Sequence, residues 1–251
     1  MSLLITTSWD DGYALDMQVA EILDVSGLKG TFYVCPKPQH GLAMLSSDDI
    51  RALAQHHEIG SHTVNHPKLT EISDDDVRRE LADSKKWIED VSGKPCTSFC
   101  YPKGAHDERV RRLTKEAGYA AARTCDMLRF DATDRHALPV SIQLFPFPWR
   151  RSFSPAWKIL DPLGPLRVKV RRLSALGIPW SKRGSWRHMA DALLEKAVRE
   201  KLPFFHLYGH SKELDQFGLW DEFRSFAKAL SSIQDAKHVT NAELSASLRL
   251  P

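Results

Sequence analysis

Short β-branched or aromatic runs alternate along the chain with amphipathic windows of helical period, the pattern of βα units that feed a parallel sheet. It predicts strands over residues 4–8, 30–35, 58–62, 97–101, 119–124, 138–144 and 204–208, with a short final strand at 238–240. Between them it predicts helices over 14–26, 46–55, 73–91, 107–117, 185–201 and 219–230. Ser46-Ser47-Asp48-Asp49 and Ser73-Asp74-Asp75-Asp76 are helix starts, and Asn241 is expected to cap the last helix. Seven or eight such units in about 250 residues suit a closed α/β barrel, in which the working groups sit past the C-terminal ends of the strands.

One stretch breaks the alternation. Residues 146–188 hold ten Lys or Arg (Arg150, Arg151, Lys158, Arg167, Lys169, Arg171, Arg172, Lys182, Arg183, Arg187) against the one acid Asp161, with Trp149, Trp157, Trp180 and Trp186 among them. It reads as an insertion folding as a lid on one 1–251 domain. Composition adds little beyond this. Hydrophobic residues at 42% and charged residues at 27% are those of a globular protein, and a formal charge of +3 gives no strong global field. The first residues lack a basic segment followed by an apolar run, and no window approaches the ~18 apolar residues of a membrane span. A cytoplasmic protein, at most peripheral to a membrane, is the expectation. Cys35, Cys96, Cys100 and Cys125 are too few and too irregular for a disulfide framework and read as small buried hydrophobes.

The chemistry concentrates at predicted strand ends. Asp10-Asp11-Gly12 places two carboxylates where a strand turns. Successive side chains leave an extended backbone on opposite sides, so one acid can hold a metal while the other handles a proton. The plainer reading, a turn marked by Asp-Gly, weighs equally while the motif stands alone. His62 and His66, at i and i+4 in Ser61-His62-Thr63-Val64-Asn65-His66-Pro67, would face one divalent ion if they lie on a helical turn. Two imidazoles and one carboxylate leave positions open for water and substrate.

These two motifs, with Phe99-Cys100-Tyr101-Pro102-Lys103-Gly104, resemble in order and spacing the first three motifs of the polysaccharide deacetylase family (NodB-type, carbohydrate esterase family 4). Phe204-Phe205-His206-Leu207-Tyr208-Gly209-His210 is similar to its last motif. The resemblance implies a distorted (β/α)7 barrel and metal-dependent removal of an acetyl or other N-acyl group from a sugar or glycan. It implies Asp11, His62 and His66 as metal ligands, for zinc first and cobalt or another divalent ion next, and Asp10 as general base. His206 is the first choice of general acid with His210 in reserve, although a histidine inside a strand is commonly a satisfied core residue. The Lys103 backbone, with Tyr101 and Trp220, is the candidate oxyanion or substrate contact. The family's third-motif arginine, which orients the base, is replaced here by Cys100, and Arg123 is the candidate substitute. The expected partner is an N-acylated glycan, with an anionic or lipid-linked one suggested by the basic insertion, and no nucleic acid. A related hydrolase of a small non-glycan amide, and a catalytically silent sugar-binding relative, are the competing readings.

Overall fold

The computed structural model describes residues 2–37, 41–146 and 164–248, with the backbone alone for 164–168. Trp149, Trp157, Arg150, Arg151 and Lys158 of the expected lid lie outside the described residues. Strands β1 (Leu4–Asp11), β2 (Gly30–Val34), β3 (Glu58–Ser61), β4 (Ser98–Cys100), β5 (Ala121–Arg123), β6 (Ile142–Leu144) and β7 (Phe204–Gly209) pair in the order β5-β4-β3-β2-β1-β7-β6, every pair parallel. A two-residue strand, β8 (Lys237–His238), adds to β1 beside Leu4 and Ile5. The sheet curls until its two edges meet: Leu138 bridges Arg123 of β5, and β6 a few residues on pairs β7. This is the expected distorted α/β barrel.

Helices α1 (Asp16–Val25), α2 (Ser47–His56), α3 (Asp74–Ser92), α4 (Glu108–Glu116), α5 (Gly164–Ala175), α6 (Trp186–Arg199), α7 (Ser211–Phe217), α8 (Trp220–Ser231) and α9 (Asn241–Ser247) complete the described residues. Ser46, Ser73, Asp107 and Ser185 accept backbone N–H bonds at the first turns of α2, α3, α4 and α6, which stops those helices where the sequence places their starts. Helices α5 and α7 were not anticipated, and β1 runs three residues further than expected, carrying the two aspartates within the strand.

Period-two alternation on β1 sorts side chains between two environments. Trp9 packs its indole against Phe223 of α8 at 4.8 Å, part of the large apolar layer between sheet and helices. Thr6, Ser8 and Asp10 instead reach Asn241, His206 and Arg123, groups from other sides of the curl, so they point into the barrel. The interior is therefore polar and hydrogen-bonded, and its side chains are tightly accommodated. A Cβ at Gly60 would come within 2.5 Å of the Tyr33 ring.

The bottom of the barrel is closed by the start of α9. Thr240, not Asn241, is the N-cap, in a reciprocal capping box with Glu243. Asn241 is drawn inside because its amide bridges two barrel side chains: Oδ1 accepts from Thr6 Oγ1 at 2.9 Å and Nδ2 donates to Tyr33 Oη at 2.8 Å. Replacing Asn241 by Ala strands both hydroxyls without a partner and should cost about 2–3 kcal/mol in urea unfolding. Thr240→Ala, losing only a cap, should cost about 1 kcal/mol; equal losses would contradict the bridging role.

Candidate active site

Asp10 and Asp11 end β1 with different surroundings. Asp10 is buried in the barrel mouth; Oδ1 takes a hydrogen bond from Arg123 Nη2, and the Cys100 thiol lies 3.6 Å from Oδ2. Burial alone would raise its pKa, but the Arg123 charge, helped by His62 and His210, holds it below the usual carboxylate range. Arg123 thus stands on Asp10 from β5 while Cys100, on β4, fills the space beside it. Its guanidinium also lies over the rings of Tyr208 (4.6 Å) and Tyr33 (5.4 Å).

Asp11 has φ 83° and Gly12 φ 81°, so the chain leaves the strand through two left-handed residues, and a Cβ at Gly12 would meet Val34 at 3.1 Å. This turn aims Asp11 Oδ1 at His66 Nε2 (3.5 Å) and His62 Nε2 (3.7 Å), which are 3.2 Å from each other. His62 Nδ1 donates to Cys100 O at 2.8 Å, leaving Nε2 with a bare lone pair. Burial lowers the pKa of His62, and burial with His62 beside it lowers that of His66 to about 4, so both rings are neutral ligand forms. Three acceptor atoms facing one point ask for a cation. A tetrahedral ion with bonds of about 2.0–2.2 Å needs its ligand atoms ~3.3–3.6 Å apart, and the separations here, 3.2, 3.5 and 3.7 Å, come close to that range.

The i,i+4 pairing of the histidines does not come from a helix, as the sequence suggests. Residues 62–68 are a loop, with Thr63 at φ 66° and His66 at φ 54°. The loop is pinned from α3, where the Glu80 carboxylate accepts from the backbone N–H of Val64 (2.8 Å) and Asn65 (2.9 Å) and from the Asn65 amide. Strain is stored here: of seven non-glycine residues with positive φ among those described, Asp11, Thr63, His66 and Lys103 (φ 58°) belong to this rim.

The two histidines of the last motif separate sharply. His206 is buried within β7, with Nε2 on Ser8 Oγ at 2.8 Å and Nδ1 on Pro139 O at 3.2 Å. Burial pushes its pKa down to about 3. It is a satisfied interior group with both nitrogens occupied. His210 lies just past the strand. Burial would lower its pKa, but the Glu213 hydrogen bond (Nδ1 to Oε2, 3.3 Å) and the charges of Asp10, Glu213 and Asp11 lift it above 6.5.

Two further candidates make their contacts elsewhere. Tyr101 buries its ring against His106 and donates to His136 O at 2.9 Å. Trp220 opens α8 and hydrogen-bonds Asp215 at 3.4 Å, with none of its described contacts on the carboxylate–imidazole cluster. Lys103 occupies the rim turn after β4, near enough for its charge to act on His66. Sequence reasoning missed Tyr13 and Lys212, whose hydroxyl and ammonium both donate to Asp11 Oδ2 (2.8 and 3.1 Å), as well as Glu213 and Glu80. Lys212 and Glu213 lie two and three residues after His210, a proximity that could have marked them; Glu80 carries no such signal.

Residues 3–122 match the sequence profile of the polysaccharide deacetylases. The chain is 29% identical over 119 residues to a peptidoglycan-N-acetylglucosamine deacetylase of Bacillus cereus (46% of this chain, 54% of that one). It is 30% identical over 121 residues to the peptidoglycan-N-acetylmuramic acid deacetylase PdaA of Bacillus subtilis (46% and 44%). The matches thus span about half the length of these curated relatives. In fold it is similar to the Xyl-CE4 domain of a multidomain xylanase from the hindgut metagenome of Trinervitermes trinervoides, with TM-score 0.59 and 14% identity over 97% of this chain and 90% of that one. Residues 3–122, a little under half of the chain, are thus similar in sequence to the polysaccharide deacetylases, and the likeness of fold extends over nearly all of it.

Proposed function

We propose that the protein is a metal-dependent N-deacetylase that hydrolyses the acetamido group of an N-acetylated glycan. The observation that carries this reading is the convergence of Asp11, His62 and His66 on one point, with the unligated Asp10 carboxylate beside it. The curated relatives named for peptidoglycan deacetylation support the substrate class.

A divalent ion held by Asp11, His62 and His66, zinc by the chemistry of the donor set, would lower the pKa of water from 15.7 towards ~7 and polarise the acetyl oxygen. Asp10, kept ionised by Arg123, accepts the proton of the attacking water as its oxygen bonds to the acetyl carbon. His210, held in its charged form by Glu213, gives a proton to the departing nitrogen as the C–N bond breaks, so acetate and a free amine leave. A backbone N–H of the Lys103 turn is the candidate second donor to the oxyanion.

Asp10→Asn should lower kcat for amine release from N-acetylglucosamine oligomers by about 10²–10⁴-fold while bound metal stays stoichiometric. Undiminished turnover in that variant would reject the base assignment. His210→Asn should lower kcat by at least about 10²-fold at unchanged unfolding midpoint. His206→Asn should act in the opposite sense, costing stability through Ser8 and the Pro139 carbonyl; comparable kcat losses with unchanged stability would return His206 to the mechanism.

The acid must carry its proton, so kcat/KM should fall as pH rises through a value above 6.5. Glu213→Gln removes the charge that raises it, and should shift that alkaline limb to lower pH. A limb that stays in place means another group is titrating.

A further inference from the structure

We infer that Lys212 is a positioning residue which, with Tyr13, restricts Asp11 to a single metal-binding oxygen. This rests on the reading of Asp11 as a metal ligand. The two oxygens of that carboxylate face different groups. Oδ1 looks towards His62 and His66, whereas Oδ2 accepts from Tyr13 Oη at 2.8 Å and from Lys212 Nζ at 3.1 Å. Lys212 also donates to the Tyr13 hydroxyl at 2.6 Å and lies over its ring at 4.8 Å. Asp11, Tyr13 and Lys212 therefore form a closed triangle, and no lone pair of Oδ2 that serves both donors is free to swing towards the imidazoles.

The consequence is chemical. A carboxylate with both oxygens available can bind a divalent ion in bidentate fashion, taking a position that substrate or water would otherwise use. Fixing Oδ2 leaves two imidazoles and one oxygen, three protein ligands, with the remaining positions open. An ammonium so close to the carboxylate also opposes the charge of an incoming dication. Lys212 thus trades metal affinity for an open coordination sphere. It comes from the first turn of α7, straight after His210, so one short segment supplies the candidate acid and the restraint on the candidate ligand.

The test titrates metal-free protein with Co²⁺ against a chromophoric chelator and records the visible Co²⁺ spectrum. Lys212→Met should bind Co²⁺ about tenfold more tightly, with a weaker visible band as coordination number rises. Lys212→Arg, which keeps the charge and donors, should restore both towards wild type. Tyr13→Phe loosens Oδ2 without a change of charge, and should weaken the band with little gain in affinity. Unchanged or weaker Co²⁺ binding by Lys212→Met, or an unaltered band in both Lys212→Met and Tyr13→Phe, overturns the inference. Asp11→Ala separates the two levels. If it binds Co²⁺ as wild type does, the ligand reading itself fails; if it loses Co²⁺ while Lys212→Met is silent, only the role of Lys212 fails.

Discussion

The arrangement depends on one ion pair inside the barrel, Arg123 with Asp10. A guanidinium with no solvent exposure in a ring of strands costs several kcal/mol unless a carboxylate meets it, and removing either partner leaves the other uncompensated. The pair spans the curl, from β5 at one end of the sheet order to β1 near its middle, so it forms only when the sheet has closed far enough. It also keeps Asp10 ionised, and the oxygen that Arg123 holds is not free to serve a cation. Cys100 of β4 and Arg123 of the neighbouring β5 each lie against one oxygen of the Asp10 carboxylate.

Depth then decides which polar groups can react. Parallel pairing sets Thr6 opposite His206 and Ser8 opposite Tyr208, and one more step along both chains brings His210 level with Asp10. Three inward layers follow: a bottom layer tied by Asn241, a middle one in which His206 bonds Ser8, and a rim where Asp10, Asp11 and His210 meet. Only the rim is built from residues with left-handed backbone, held by Glu80 below the histidine loop and by Lys212 beside Asp11. Strain of this kind survives where neighbouring groups over-determine it.

Much of this was legible in the sequence because it lies in contiguous motifs. The alternation of β1 separates the jobs of Asp10 and Asp11, and the strand-end rule for barrels puts His62 and Lys103 on the same face. The choice between His206 and His210 illustrates what was not. Both have the inward parity of β7, so periodicity cannot tell them apart; the strand's end between them does, and strand ends are the part of a pattern least sharply marked by composition. The histidine loop was misread for a related reason. Spacing of four suggests a helical turn, yet the geometry comes from two left-handed residues and a glutamate fifteen to sixteen positions from the loop groups it holds, which no local pattern encodes.

The basic run shows the same gap between a count and a surface. Arg172 is spent on Asp126 and the Met127 carbonyl, Arg183 on the Ile178 carbonyl and Ser174, and Arg187 on Asp191 and Ser225, while Lys169 lies buried over Phe145. Charge that has been used to dock a helix is not available to attract an anion. Through Arg172 and Lys169, α5 is fastened to the loops that follow β5 and β6, at the rim of the barrel. The described cations that act on the carboxylate–imidazole cluster are instead Arg123, Lys103 and Lys212, each from a different element. Among the described residues it is their placement that sets the field in which the rim would work.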